Sequence, residues 1–230
     1  MEQIQDLFKL ISVGFALLIP LANPITSMTM LLTLGAGLTK QERAKQVRQA
    51  TIYVFCIMCV TYFAGHAIMS LFGISVPGLG IAGGLIVGYI GFTMLFPTST
   101  SHEVVKDMPE VSLKANDKRM VPNIAFVPLA MPGTAGPGTI AMIISGSASL
   151  HSPGGTEYAL WLLYVAPVVL FLIVSGIFWA CLNFADKLLK LLGDAGLEAL
   201  ARIMGLLLVC MGVQFVINAV TTLVKGFGGP

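Results

Sequence analysis

Long apolar runs without a charged side chain dominate this sequence. Five stretches contain no Asp, Glu, Lys or Arg and have at least 22 residues each: 10–39, 49–102, 120–156, 158–185 and 203–224. About 20 apolar residues in a helix cross the ~30 Å hydrocarbon core of a bilayer. The runs lack the polar/apolar alternation of a membrane β-barrel. The pattern therefore predicts an all-α polytopic membrane protein.

The longest run must fold back on itself, and clustered Gly and Pro mark the places where spans are separated. These markers are Phe72–Gly78 and, in a later run, His151–Gly155. We therefore predict six transmembrane helices, at about 8–34, 50–72, 78–96, 121–148, 158–182 and 200–224.

Composition narrows the possible functions. The chain is 56% hydrophobic and 10% charged, whereas soluble domains average about 25% charged residues. This excludes soluble enzymes, nucleic-acid-binding proteins and disulfide scaffolds. Cys56 and Cys59 lie in an apolar run and are interpreted as small core residues. We expect the lipid bilayer as a partner, and neither nucleic acid, a metal nor another cofactor.

Basic residues orient the predicted spans. Eleven of the 13 Lys and Arg residues lie in the loops after the first, third and fifth spans, leaving only Lys9 and Lys225 on the other face. By the positive-inside rule, the basic loops are cytoplasmic and both termini lie outside. The segment 97–120 mixes four basic and four acidic residues and is predicted to be a polar cytoplasmic loop.

The two halves of the chain share a repeated motif. Pro20–Thr26 aligns with Pro128–Thr134 at five of seven positions, and Gly84–Gly91 aligns with Gly205–Gly212. Each half contains three spans, which is an odd number, so the halves cross the membrane in opposite senses. Residues 1–96 and 121–230 are thus predicted to form two inverted three-helix repeats, an arrangement common in secondary transporters.

The proline motifs fall at the middle of the first and fourth spans and predict that both helices are broken there. Proline has no N–H for the carbonyl four residues back, and the added glycines lower helix propensity. Asn23-Pro24, and Thr134 or Gly136-Pro137, are typical of helix starts. A simple kink that serves packing is the alternative. The other glycines, in 81–85 and 84–91, are interpreted as a helix-packing surface.

Two half-helix N-termini near the midplane would attract a carboxylate, and nearby carbonyls and hydroxyls would accept hydrogen bonds from an ammonium group. No acidic residue lies deep in a span, so a carboxylate proton relay is not expected. The candidate substrate-binding residues are Asn23, Pro24, Thr26, Ser27, Pro132, Gly133, Thr134, Gly136, Gly138 and Thr139.

Five segments resemble the MarC family of bacterial inner-membrane proteins: Ile19–Thr26, Phe72–Gly78, Ile81–Leu85, Phe126–Thr139 and Arg202–Gly205. The resemblance implies a multi-pass protein of the bacterial inner membrane, with both termini then periplasmic. It also implies neutral amino acid transport, because related members are described in that way. The family name refers to multiple antibiotic resistance, which implies a genetic neighbourhood rather than a drug pump. The resemblance further implies an arginine where this chain has Gly80.

The leading hypothesis is a secondary transporter of small neutral zwitterions such as alanine or glycine, working by alternating access around the two broken helices. An exporter of other small polar or amphiphilic compounds is the main alternative, and a sensor or assembly factor is another. An intramembrane enzyme is not expected, because no span contains an acid/base pair or a metal cluster. The coupling ion, the direction of flux and the oligomeric state stay open.

Overall fold

The computed structural model describes residues 2–35, 37–96, 123–131, 134–150 and 158–227. These residues form helices and short connections, with no strand among them. The elements are α1 (Glu2–Ala22), α2 (Pro24–Leu34), α3 (Lys40–Leu71), α4 (Val76–Leu95), a π-helical segment (Ala125–Ala130), α5 (Pro137–Leu150), α6 (Leu160–Asn183) and α7 (Ala185–Phe227).

Five helical stretches in the described part of the chain are long and apolar enough to cross a membrane. They are Gln3–Leu34, Lys40–Leu71, Val76–Leu95, Leu160–Asn183 and Ala195–Lys225. The all-α membrane class is thereby confirmed. The predicted fourth span corresponds to the π-helical segment and α5, which are separate elements and each too short for this criterion. The predicted loop 97–120, the start of the fourth span and the 151–155 marker lie outside the described residues.

Local sequence signals explain where the helices begin. Thr39 and Glu42 form a capping box at the start of α3, with the Thr39 N–H donating to Glu42 Oε2 at 2.8 Å. Ser75 caps α4 by accepting the Gly78 N–H at 3.2 Å. The predicted start of this span at 78 was late, because Pro77 fits within the first turn of a helix. Gly193 interrupts α7 with φ 66° and ψ 175°.

Helices α4 and α7 pack through glycines with their backbones in close approach. A Cβ atom added to Gly84 would lie 2.6 Å from the Gly212 carbonyl oxygen, and one added to Gly91 would lie 2.5 Å from that of Gly205. The interpretation of these glycines as a packing surface is confirmed. From Gly84 to Gly91 on α4, the contacted residue on α7 changes from Gly212 back to Gly205. The two helices are therefore antiparallel.

Helices α3 and α6 are antiparallel as well. Arg43 near the start of α3 forms an ion pair at 2.9 Å with Asp186, which follows α6. Farther along α3, the Tyr62 hydroxyl donates to the Leu163 carbonyl near the start of α6 at 3.0 Å. The start of α3 therefore lies beside the end of α6, and the later part of α3 lies beside the start of α6. The main buried cluster lies around α3 and α6 and includes Met58, Phe171 and Phe178.

A smaller buried cluster consists of Leu21, Val87 and Leu208, from α1, α4 and α7. It is separate from the main core and lies beside Asn23, the residue between α1 and α2. Three distant parts of the sequence thus meet at the region that the proline motifs single out.

Candidate functional site

Helices α1 and α2 are separated by a single residue, Asn23. It adopts the left-handed conformation, with φ 34° and ψ 64°, and is the only non-glycine residue with positive φ among the described residues. Asparagine tolerates this region better than most residues. Pro24 then occupies the first turn of α2. Helix α2 therefore begins at Pro24, within the first proline motif.

The Asn23 side chain does not cap α2. The side chain makes no hydrogen bond to the start of α2. Its amide Nδ2 donates instead to Met94 Sδ at 3.2 Å. The side chain is 4% exposed, and its Oδ1 atom has no hydrogen-bond partner. A buried, unpaired carbonyl oxygen costs about 1–3 kcal/mol, and a bound donor would recover that cost.

The second proline motif is also irregular. The π-helical segment ends at Ala130, and Met131 is extended, with φ −131° and ψ 126°. Helix α5 begins at Pro137, and the Ile140 N–H donates to the Gly136 carbonyl at 3.0 Å. The first N–H groups of a helix have no acceptor within the helix. No backbone carbonyl among the described residues accepts the N–H groups of Gly138 and Thr139.

Hydroxyl groups join the two motifs. Ser27 Oγ donates to the Leu129 carbonyl at 3.0 Å and lies 3.1 Å from Thr134 Oγ1. Thr139 Oγ1 donates to the Thr134 carbonyl at 2.9 Å and lies 3.5 Å from the Leu21 carbonyl oxygen. Leu21 and Leu129 occupy equivalent positions of the aligned motifs. A hydroxyl from each half therefore reaches the matching carbonyl of the other half.

A cavity of about 210 Å³ lies between the two motifs. This volume is large enough to hold several water molecules. No charged residue lines it. Its walls are Leu21, Asn23, Thr26, Met30, Val87, Ile90, Gly136, Gly138, Thr139 and Leu208.

Half of the ten candidate residues line this cavity: Asn23, Thr26, Gly136, Gly138 and Thr139. Ser27 and Thr134 are fully buried beside it, and their hydroxyls bond within the protein. Pro24 begins α2 without lining the cavity. Pro132 and Gly133 lie outside the described residues.

The apolar walls of the cavity were not predicted. Met30 lies on α2, which begins within the first motif, and Val87, Ile90 and Leu208 lie on α4 and α7. In the sequence they are ordinary apolar residues of a span. Val87, Ile90 and Leu208 belong to the aligned segments 84–91 and 205–212, but that alignment predicted helix packing and no cavity wall.

Two further cavities adjoin these helices. One, of about 390 Å³, is lined by polar side chains that include Gln214 and Asn218. Gly80, where the resemblance implies an arginine, also lines it, and a Cβ atom there would lie 3.1 Å from the Ala219 Cβ. The other, of about 280 Å³, lies among α1, α5 and α6 and is almost entirely apolar.

Comparison with known proteins identifies the family. Residues 8–224 match the family described as "MarC family integral membrane protein". The chain belongs to the MarC family. The match covers both proline motifs and every cavity-lining residue, so the site lies wholly within the family's common region.

Named relatives cover nearly the whole chain. The inner membrane protein MarC of Salmonella typhimurium is 50% identical over 224 residues, which cover 96% of this chain and 99% of that protein. The inner membrane protein MarC of Citrobacter koseri has the same identity and coverage. The Escherichia coli O1:K1 protein of that name is 48% identical over the same shares. No solved structure matches this chain.

Proposed function

We propose that this MarC-family chain is a transporter of small neutral amino acids such as glycine and alanine in the bacterial inner membrane. One observation carries the proposal: the two matched proline motifs meet at a single, partly open cavity without charged walls. Asn23 lines this cavity, and its buried Oδ1 atom has no hydrogen-bond partner among the described residues. A site of this kind suits a solute that brings both charges itself.

The cavity offers a partner to each end of a zwitterion. The N–H groups of Gly138 and Thr139 lie at the positive end of the α5 dipole and would bind the carboxylate. The ammonium group would donate to Asn23 Oδ1 and to the Thr26 hydroxyl. Hydrogen bonds to charged groups contribute about 1.5–3 kcal/mol each, so no charged side chain is required.

The apolar walls limit the size of the solute. Met30, Val87, Ile90 and Leu208 line a cavity of about 210 Å³. Glycine, alanine and serine fit within this volume, and close apolar contact with these four residues would favour them over leucine and phenylalanine. The proposed specificity is therefore for small side chains.

Alternating access around inverted repeats is the proposed mechanism. It assigns residues 1–96 and 121–230 to two repeats, broken at Asn23 and before Pro137, with 97–120 as a cytoplasmic loop and both termini periplasmic. The antiparallel packing of α4 on α7 and of α3 on α6 supports it, because these are the third and second spans of each half. Rocking of one repeat against the other would expose the cavity to each face in turn.

Gradient-driven uptake of labelled glycine, alanine and serine into proteoliposomes tests the proposal. We expect uptake by the wild type and a loss of at least tenfold in Asn23→Ala. Asn183→Ala is the matched control, since Asn183 is exposed at the end of α6 and only donates to Trp179. No uptake of any neutral amino acid under proton, sodium or potassium gradients would reject the proposal.

Export of small amphiphilic compounds is a second candidate, favoured by the apolar cavity of about 280 Å³. Its walls include Gly14, Tyr62, Gly146 and Leu170. A Cβ atom at Gly14 would overlap the Leu170 side chain, so Gly14→Val would displace Leu170 and reshape this wall of the cavity. Export through this cavity predicts that Gly14→Val impairs efflux of an amphiphilic dye and leaves alanine uptake intact.

A further inference from the structure

A second cavity, with polar side chains on part of its wall, lies next to the Asn23 cavity. It occupies about 390 Å³ between α4, α5 and α7. Its polar walls come from Gln214, Asn218 and Thr222 on α7 and from Ser145 on α5. We call this space the vestibule.

The vestibule presents an unsaturated pair of amides. Gln214 Nε2 donates to Asn218 Oδ1 at 2.8 Å. Within the described part of the chain, the Gln214 Oε1 and Asn218 Nδ2 atoms have no hydrogen-bond partner. Polar groups at membrane depth are costly unless they bond to protein, water or a solute. The pair thus offers one acceptor and one donor group to whatever fills the vestibule.

An apolar cluster separates the vestibule from the Asn23 cavity. Leu21, Val87 and Leu208 are 8%, 1% and 3% exposed and line the Asn23 cavity. Packed against them are Met142, Met211 and Phe215, which line the vestibule. The cluster therefore has one face on each cavity. We call these six residues the barrier.

The vestibule lies toward the end of α7 that is remote from its basic start. Arg202 lies near the beginning of this span and Lys225 at its end, with Gln214–Thr222 in the later half. The antiparallel partner α4 contributes its early residues Val76–Gly80. In the proposed orientation both portions lie in the periplasmic half of the membrane.

We propose that the vestibule is a second, outer binding site for the same neutral polar solutes, and that the barrier controls their passage to the Asn23 cavity. The Gln214 carbonyl accepts from the solute ammonium and the Asn218 amide donates to its carboxylate. This assignment of the vestibule rests on the proposed transport function. It adds an outer binding site, and a barrier between that site and the Asn23 cavity.

Thiol accessibility tests the path without requiring transport. In a background in which Cys56, Cys59, Cys181 and Cys210 are replaced by alanine, a membrane-impermeant methanethiosulfonate reagent is added to the outer face of spheroplasts. Thr222→Cys should react at least tenfold faster than Thr26→Cys, because the barrier shields the latter. Val220→Cys is the lipid-facing control, since Val220 is 44% exposed outside the cavities and a thiol in lipid stays protonated.

Opening the barrier supplies the second measurement. Leu208→Ala should raise the Thr26→Cys reaction rate at least tenfold. Leu206→Ala, on the exposed face of the same helix, should leave it unchanged. Equal reaction rates for Thr222→Cys and Thr26→Cys in the protein that keeps Leu208 would show that the barrier does not shield the Asn23 cavity. Absence of reaction at Thr222→Cys, or reaction only from the cytoplasmic face, would overturn the outer vestibule.

Substrate binding in the vestibule has its own readout. The double variant Gln214→Leu/Asn218→Leu should raise the KM for alanine uptake at least tenfold, because both polar contacts to the solute are lost, with the Thr26→Cys reaction rate unchanged. An unchanged KM would overturn the binding role. If the accessibility pattern holds but no solute is transported, the assignment of the vestibule and the barrier stands and the proposed transport function is rejected.

Discussion

Asn23 combines two features that together explain why an asparagine suits this position. Its backbone is left-handed, with φ 34°, and its buried side chain leaves Oδ1 unpartnered beside the cavity. Glycine would adopt the positive φ but has no side-chain oxygen to place beside the cavity. Most other residues would neither adopt this φ nor supply that oxygen. The backbone and side-chain roles can therefore be separated by substitution.

Replacing Asn23 by glycine should remove binding without removing the helix break. We expect Asn23→Gly to keep the thermal stability of the wild type and to raise the KM for alanine at least tenfold, because one charge-assisted hydrogen bond is lost. Asn23→Ala should lose both binding and stability, since alanine disfavours positive φ. Uptake kinetics and melting in detergent check the pair. A KM for Asn23→Gly equal to that of the wild type would show that the Asn23 side chain does not bind the substrate.

Thr139 links the two motifs through its hydroxyl. Thr139→Val keeps the shape but leaves the Thr134 carbonyl without this donor. We expect a loss of about 1–3 kcal/mol in stability, measured by unfolding in detergent. Thr139→Ser should restore most of it, because the hydroxyl returns. Equal destabilisation by serine and valine would show that the methyl group, and not the hydrogen bond, matters.

At the scale of elements, the α4–α7 contact depends on backbone approach at particular glycines. A Cβ atom at Gly91 would lie 2.5 Å from the Gly205 carbonyl oxygen, whereas one at Gly88 would have nothing within 4 Å. These two glycines are three residues apart on the same helix. They form a natural matched pair for measuring what close packing contributes.

Alanine at Gly91 should destabilise the fold by about 1–3 kcal/mol, because the helices must separate. Alanine at Gly88 should be neutral or stabilising by up to about 1 kcal/mol, because helix propensity rises. Thermal unfolding of the two variants in one detergent measures the difference. Similar melting temperatures for both would contradict the close approach of α4 and α7.

Prolines and glycines allowed several features of the elements to be predicted. Asn23-Pro24 and Gly136-Pro137 mark the starts of α2 and α5, because proline fits the first turn of a helix. The π-helical segment Ala125–Ala130 was not predicted, since its apolar sequence fits an ordinary span equally well. The start of α3 at Lys40 lies ten residues before the predicted span, because the charged turns continue the helix beyond the apolar run.

At the scale of the whole molecule, residues about 110 positions apart meet between the two proline motifs. Ser27 contacts Leu129 and Thr134, and Thr139 approaches Leu21. The motif alignment predicted that both segments would form one site, and five candidate residues line one cavity. The barrier could not be predicted, because Leu21, Val87 and Leu208 come from three helices whose facing surfaces are set only by tertiary packing.

The proposed orientation makes a further prediction for the loops. In the same cysteine-free background, Ser112→Cys in the segment 97–120 should react with an impermeant reagent only when the cytoplasmic face is exposed. Thr156→Cys should react from the outer face, because it follows the fourth predicted span. Labelling of intact spheroplasts and of inverted vesicles gives the comparison. The opposite pattern would invert the molecule in the membrane.

Counterflow in proteoliposomes tests the central claim most directly, because it requires binding and alternating access but no knowledge of the coupling ion. Vesicles loaded with unlabelled alanine are diluted into a trace of labelled alanine. The account predicts transient accumulation of label that external glycine or serine abolishes and leucine or phenylalanine does not, with no accumulation in Asn23→Gly at the same concentration. Absence of alanine counterflow in the wild type, or equal accumulation in wild type and Asn23→Gly, would contradict it.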